Sequence, residues 1–224
     1  MKIKAILFGS TGMIGKGVLL ECIDNSDVES VLLINRKTCG ISHPKIREIT
    51  HSDLSDLSSL QNEFRNYNAC FFCLGISAVG LSENEYRKTT FDITVNTAKT
   101  LLSVNSDIVF CYVSGAGTNE NGKMMWARVK GETENTLLEM SFRKTYLFRP
   151  GYIQPLKGIR SRTRLYNLIY FFFKPFYFLL KPFKGIVTDT TSLGNAMINC
   201  VRYGYAKNIL ESADINTLAK YAAV

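Results

Sequence analysis

The chain is short of several residue types, and each shortage removes a class of explanation. Only two histidines occur among its 224 residues, His43 and His51. They sit near the third apolar run without companion ligands, so no metal site is argued. Although the formal net charge is +8, no run of five basic residues exists, which argues against a nucleic-acid arm and a nucleic-acid partner. A surplus of that size also suits an anionic membrane face or a polyanionic cofactor. The opening MKIKAILFGS has a short apolar run before a glycine turn, and lacks the longer apolar region of a secretory signal. The six cysteines, at 22, 39, 70, 73, 111 and 200, are therefore expected as free thiols in a reducing compartment, and the chain as cytoplasmic. There is no internal repeat, and no uncharged apolar stretch of the roughly 20 residues that a spanning helix needs.

What is present is apolar and alternating. Residues of the hydrophobic class make up 46%, with 14 Phe and 11 Tyr, enough for a large core in one domain covering 1–224. Short apolar runs at 4–8, 30–34, 46–50, 69–74, 108–113 and 145–148 alternate with helical patterns at 13–24, 54–65, 83–103 and 125–141. This is the order of a parallel sheet with helical crossovers. A helix over 191–203, a short strand at 209–210 and a terminal helix capped by Asp214 close the chain. The fold class is α/β, a Rossmann-type doubly wound parallel sheet, with 152–190 as a small hydrophobic lid or substrate subregion. Cys70 and Cys73 have redox-pair spacing but lie in a strand pattern, where residues three apart face opposite ways, so their sulfurs should not meet.

The most specific signal is Gly9-Ser10-Thr11-Gly12-Met13-Ile14-Gly15, which follows the first strand and opens a helix. Its glycines suit a tight turn, close approach of a pyrophosphate, and close packing of helix on strand, while the helix N-terminus offers free N–H groups to phosphates. An NAD site usually places a carboxylate at the end of the second strand to meet the ribose. Here the residues are Asn35, Arg36 and Lys37, a neutral side chain and two cations, which suit a 2′-phosphate. NADP(H) is expected over NAD(H). Asp53 and Leu54 after the third strand, and Leu74 and Gly75 after the fourth, fall where such a cofactor would be touched, although ordinary turn chemistry accounts for each alone.

These segments, with Val113-Ser114-Gly115-Ala116-Gly117, Trp126-Ala127-Arg128-Val129-Lys130-Gly131-Glu132 and Phe148-Arg149-Pro150-Gly151, resemble the atypical short-chain dehydrogenase/reductase superfamily. The likeness is to its NAD-dependent epimerase/dehydratase-like and NmrA-like members, the group related to the Tat-interacting protein, and it spans about residues 3 to 151. The resemblance implies a catalytic Ser at Ser114, a Lys at Lys130 that also holds the nicotinamide ribose, and a Tyr one helical turn before that Lys. At the Tyr position stands Trp126, whose indole N–H donates but does not titrate. Three readings stay open: Lys130 transfers the proton alone, a tyrosine such as Tyr86 or Tyr152 supplies the hydroxyl, or the protein binds NADP(H) without turnover as a sensing or interaction protein. An oxidoreductase acting on a hydrophobic carbonyl or quinone is the first expectation, with epimerase- or dehydratase-like chemistry behind it. The tract Leu165 to Leu180, carrying Lys174-Pro175 at its middle and basic residues on both sides, is expected to cover a small hydrophobic substrate. Peripheral membrane contact through 157–184 and a homodimer seam are its other uses.

Overall fold

The computed structural model describes residues 2–159 and 185–221. Seven parallel strands form one sheet in the order β3-β2-β1-β4-β5-β6-β9. In chain order these are β1 (Ile3–Phe8), β2 (Val28–Asn35), β3 (Ile46–Thr50), β4 (Ala69–Phe72), β5 (Val109–Val113), β6 (Lys144–Arg149) and β9 (Ile209–Glu211). From β1 the chain builds outward through β2 to β3, then returns to lay β4 on the other side of β1. That reversal opens a crevice at the carboxyl ends of β1 and β4, the place where open α/β sheets take ligands.

Both faces of the sheet are covered, which is why its strands read as unbroken apolar runs. Ile3, Ala5 and Leu7 of β1 point into one core with Val18 and Leu19 of α1 (Met13–Asp24) and with Leu193 and Met197. Ile6 and Phe8 point into the other, with Leu101 and Leu137. In that second core Phe8, Phe72 and Phe110 succeed one another across the strands, with ring centroids 5.5 and 6.1 Å apart. Cys70 lies in the second core and Cys73 packs on the first, and both thiols are free, as the strand argument required.

Four expectations change in contact with the structure. The helix expected over 54–65 is a 3-10 helix over Ser58–Phe64. Asp53 and Asp56 each bind the backbone N–H two residues on, at 2.9 Å, and such turns compete with helical bonding. The long helix expected over 83–103 is broken into α2 (Glu83–Arg87), a π-helical turn (Lys88–Asp92) and α3 (Ile93–Val104). At the end of α2, Arg87 Nη2 reaches Glu132 Oε1 of α4 (Met125–Glu139) at 2.7 Å. The terminal helix is capped by Glu211, with Asp214 returning the bond from its third position. Finally, β7 (Tyr152–Gln154) pairs in parallel with β8 (Val187–Asp189), a two-stranded sheet that no alternation in so short a run announces.

This small sheet holds together the two ends of the segment expected as a lid, before α5 (Thr190–Tyr203) and α6 (Ser212–Leu218). The aromatic tract 165–180, and with it most of the membrane contact expected through 157–184, lies outside the described residues. Of its flanks Lys157 is described, and its ammonium pairs with Glu21 and Asp24 of α1 at 2.8 and 2.7 Å. Among the described residues no helix is long and apolar enough to cross a membrane, and no three His, Cys, Asp or Glu gather as metal ligands.

α1 carries no basic residue in its own last turn. Lys45, from the approach to β3, supplies the missing cation, donating to the carbonyls of Ile23 and Asn25 at 2.7 Å each. A cation there satisfies terminal carbonyls and the negative end of the helix dipole. Lys45→Met should therefore lower unfolding free energy by about 1–2 kcal/mol, read as a lower urea midpoint with an unchanged slope.

Candidate functional site

A cleft of about 480 Å3 opens at the β1/β4 crevice. Gly9, Thr11 and Gly12 line it from the first loop, Asn35, Arg36 and Lys37 from the end of β2, and Leu54 from beyond β3. Cys73, Leu74 and Gly75 close it from the end of β4. Most of the residues expected around a cofactor thus meet in one space. Ser10, Met13, Ile14, Gly15, Asp53 and Lys130 do not line it.

The loop has this shape because two of its glycines leave no room for a side chain. Gly9 has φ +83°, and a Cβ there would meet the Cys73 carbonyl at 2.8 Å. A Cβ on Gly15 would stand 2.2 Å from the Gly9 carbonyl oxygen. Gly12, the N-cap of α1, has an ordinary φ of −85° and no side chain caps the helix. The first turn holds no acidic residue either, so the positive end of the helix dipole is not neutralised from within. A Cβ on Gly75 would meet nothing within 4 Å, which marks free space on the opposite wall.

The end of β2 explains the polarity of the rim. Asn35 is buried, and its amide group is occupied: Nδ2 donates to Ser10 Oγ and to Glu48 Oε1, both at 2.7 Å, while Oδ1 accepts from Ser10 at 3.0 Å. Ser10 is thus a brace between loop and strand. Glu48 of β3 also accepts from Thr38 Oγ1 at 2.7 Å and the Cys39 N–H at 2.9 Å. Partial burial pulls this carboxyl upward, but the bonds from Thr38, Asn35 and Cys39 outweigh it and hold the group below the ordinary carboxylate range. Arg36 and Lys37 are exposed and have no salt bridge among the described residues. Asp53 is turned away into its own loop, accepting from the Ser55 hydroxyl and N–H, and these bonds lower its pKa.

A second cluster forms at the end of β5, under α4. Lys130 Nζ donates to the Ser114 carbonyl. Burial depresses the Lys130 ammonium to about 8, with Glu134 opposing that fall. The Ser114 hydroxyl is turned inward, donating to Glu134 Oε1 at 2.5 Å, with the Phe148 carbonyl at 3.2 Å. Glu134 is almost fully buried and forms an ion pair with Arg149, whose Nε lies 3.1 Å from both carboxylate oxygens. Trp126 precedes Lys130 by one turn on α4 and lies against the 115–117 turn, where a Cβ on Gly117 would meet its ring at 3.5 Å. A Cβ on Gly115 would lie 3.9 Å from Lys130 Nζ. The structure therefore joins Ser114, Lys130 and Trp126 around one turn, but Ser114 meets Lys130 through its backbone. Of the alternative tyrosines, Tyr86 is buried with its pKa raised for that reason, and Tyr152 donates to Gln154 Oε1 at 2.8 Å.

Glu48, Glu134, Arg149 and Cys73 were not expected at these sites. Glu134 had a signal: it continues the Trp126 and Lys130 spacing by one more turn. Glu48 had none, because only the register of β2 on β3 brings it to Asn35, and Arg149 stood in a quoted segment without any sign that it would meet Glu134 of α4.

The family model described as NAD dependent epimerase/dehydratase family matches residues 5–124. Protein FMP52, mitochondrial, of Kluyveromyces lactis is 32% identical over 71% of this chain and 70% of its own length. Protein FMP52-1, mitochondrial, of Scheffersomyces stipitis is 25% identical over 81% of this chain and 82% of its own. Among solved structures, the Bordetella bronchiseptica enzyme WbmG in complex with NAD superposes with TM-score 0.70, at 11% identity, over 93% of this chain and 72% of that one. A short chain dehydrogenase family protein from Francisella tularensis gives 0.64 at 14% identity, over 91% and 93%. These likenesses bear out the Rossmann-type α/β fold. The relatives' names also correct the cytoplasmic expectation, since they are called mitochondrial proteins. That expectation rested on the lack of an apolar secretory run, which bears on secretion and not on mitochondrial import.

Gly15, packed under the first loop, and Gly75, on the cleft wall, separate packing from ligand space. Gly15→Ala should cost about 2 kcal/mol or more, because the Gly9 carbonyl is backbone and cannot yield cheaply. Gly75→Ala should change stability by less than about 0.5 kcal/mol. Paired urea unfolding curves measure both.

Proposed function

The chain belongs to the NAD dependent epimerase/dehydratase family, and from that membership we propose that it binds NADP(H) in the cleft at the end of β1 and works as an oxidoreductase on a small hydrophobic carbonyl or quinone. The observation that carries the reading is the rim at the end of β2: a neutral, fully engaged Asn35 followed by two exposed cations that have no acidic partner among the described residues. A guanidinium grips a phosphate bidentately, whereas a ribose hydroxyl gains little from it. The uncapped N-terminus of α1 would take the pyrophosphate, and the free space beside Gly75 would take the ribose. Glu48 does not oppose this, because three donors already share its charge.

When bound, the nicotinamide supplies or accepts a hydride; the chain's own residues hold and move the proton. Lys130 is the group suited to that task, an ammonium brought by burial to about 8 and held on the Ser114 carbonyl. General acids work best with a pKa near the working pH. An apolar substrate is favoured by Val79 and Met124, exposed at 85% and 60%, on the loops that follow β4 and β5 at this edge of the sheet.

A second reading, binding without turnover, is favoured by two observations. Trp126 occupies the place of a titrating hydroxyl, and the Ser114 hydroxyl is committed to Glu134. Trp126→Tyr separates the two: new turnover with a carbonyl and quinone panel would mean that a hydroxyl was what the site lacked. Background NADPH oxidation by the unaltered protein across that panel would sink the enzyme reading.

Two outcomes are expected. Tryptophan fluorescence, which has a single reporter in Trp126, should show tighter binding of NADPH than of NADH, and Arg36→Ala should weaken NADPH by about 10- to 100-fold while leaving NADH nearly unchanged. Equal affinities would remove the 2′-phosphate argument. The rate of NADPH-dependent reduction should also fall as pH rises through about 8, because Lys130 is a proton donor only below that value. Lys130→Met should abolish this limb.

A further inference from the structure

Behind Lys130 lies a charged group that the reaction, as read above, does not use. Glu134 sits one turn after Lys130 on α4 and is 1% exposed. A lone carboxylate at such a depth is costly, and burial of this kind is tolerated only with partners. It has two. Arg149 of β6 grips both oxygens through Nε at 3.1 Å, and the Ser114 hydroxyl donates to Oε1 at 2.5 Å. Arg149 is steadied in turn by Glu211 of β9, 3.7 Å away. Ser114 is therefore fixed by three bonds: its hydroxyl on Glu134, its N–H on the Phe148 carbonyl at 2.8 Å, and its own carbonyl on Lys130.

We propose that Glu134 and Ser114 are positioning residues for Lys130: the Glu134–Arg149 pair anchors the Ser114 hydroxyl, and the anchored Ser114 aims its backbone carbonyl at the Lys130 ammonium. The assignment rests on Lys130 being the titrating group of the site. Ser114, in this arrangement, touches neither substrate nor proton with its hydroxyl. The chain β6–α4–β5–α4 closes on itself, so the end of strand β5 and the inner face of α4 are held in one register by side chains. Arg149 has to come from β6 because that strand is next to β5 in the sheet, with Phe148 opposite Val113.

The charge on Glu134 also acts on Lys130 directly. Burial drives the ammonium toward its neutral form, and Glu134 is the charged neighbour that resists. The titratable groups around the cluster are Tyr86 of α2, Tyr112 of β5, Arg149 of β6 and Glu211 of β9. Tyr112 faces Tyr86 and Glu134, and burial keeps its phenol neutral at any working pH. Burial raises the Glu211 carboxyl, with Arg149 countering. Removing the Glu134 carboxylate, or loosening the Ser114 carbonyl, should thus move the Lys130 transition the same way, downward.

The test reads Lys130 without any cofactor. Trp126 and Lys130 lie against the same 115–117 turn, so Trp126 fluorescence followed against pH should show a transition near 8. Lys130→Met should abolish it. Glu134→Gln should lower the midpoint by about one pH unit, the shift typical of losing a close opposite charge. Ser114→Ala, which leaves the Glu134–Arg149 pair intact, should lower it by less, and the double variant should fall no further than Glu134→Gln, because both act along one path. A purely structural role would leave the midpoint where it is. An unchanged midpoint in both folded single variants overturns the proposal, as does a transition that survives Lys130→Met. Should Glu134→Gln fail to fold, Ser114→Ala decides alone. NADPH added at the end of each titration separates the two levels: a midpoint that shifts in a protein blind to NADPH removes the cofactor reading and keeps the positioning assignment.

Discussion

Everything at the carboxyl edge of the sheet depends on one carbonyl, that of Gly9. It accepts from the Gly12 N–H at 2.9 Å to close the loop, and it lies where any side chain on residue 15 would have to go. At the same point a side chain on Gly9 would run into the peptide joining Cys73 and Leu74, at the end of β4. Strand, helix and neighbouring strand therefore converge within one side chain's width. Protein interiors cannot absorb an added methyl at such a contact without displacing backbone. The consequence is spatial: α1 begins directly over the end of β1, and the crevice between β1 and β4 stays open beside it. Lys45 fixes the other end of the same helix from the approach to β3, so α1 is held at both ends by groups outside itself.

Part of that constraint was legible because it is local. Seven consecutive residues carry the glycine spacing, and the clash at Gly15 lies within them, whereas the clash at Gly9 is with the end of β4. The parallel order of the main sheet was legible for a related reason, since strands covered on both faces leave unbroken apolar runs. What could not be read depends on register between distant strands. Asn35 was expected as the neutral side chain of a 2′-phosphate rim; in the fold its amide is spent on Ser10 and Glu48, and only the pairing of β2 with β3 brings Glu48 within reach. Asp53 looked like a ligand for an adenine, but a hydroxyl two residues on was a nearer partner. The same Asx turns shortened the helix that the apolar spacing of 54–65 suggested. In these last two cases a local polar bond prevailed over a pattern.

The candidate site divides into two halves that differ in how they are built. Around the cleft, the groups suited to a dinucleotide are backbone N–H groups and two exposed cations. Beneath α4, by contrast, the groups are buried, charged and bonded to one another. An exposed phosphate subsite tolerates substitution, because solvent can replace a lost contact. A buried carboxylate such as Glu134 does not, because removing Arg149 leaves its charge without water and with the Ser114 hydroxyl alone, at a cost of about 3–5 kcal/mol.

This difference bears on why Trp126 is tolerable. In a site where proton transfer relied on a phenol, the lysine one turn later would serve to lower that phenol's pKa and would itself stay charged. Here the indole offers no proton, and the ammonium has been moved by burial to a range where it titrates near neutrality. Loss of water around an ammonium is what depresses a lysine, and a neighbouring carboxylate is what opposes the fall. At Lys130 the two meet, with burial lowering the ammonium and Glu134, one turn further along α4, resisting.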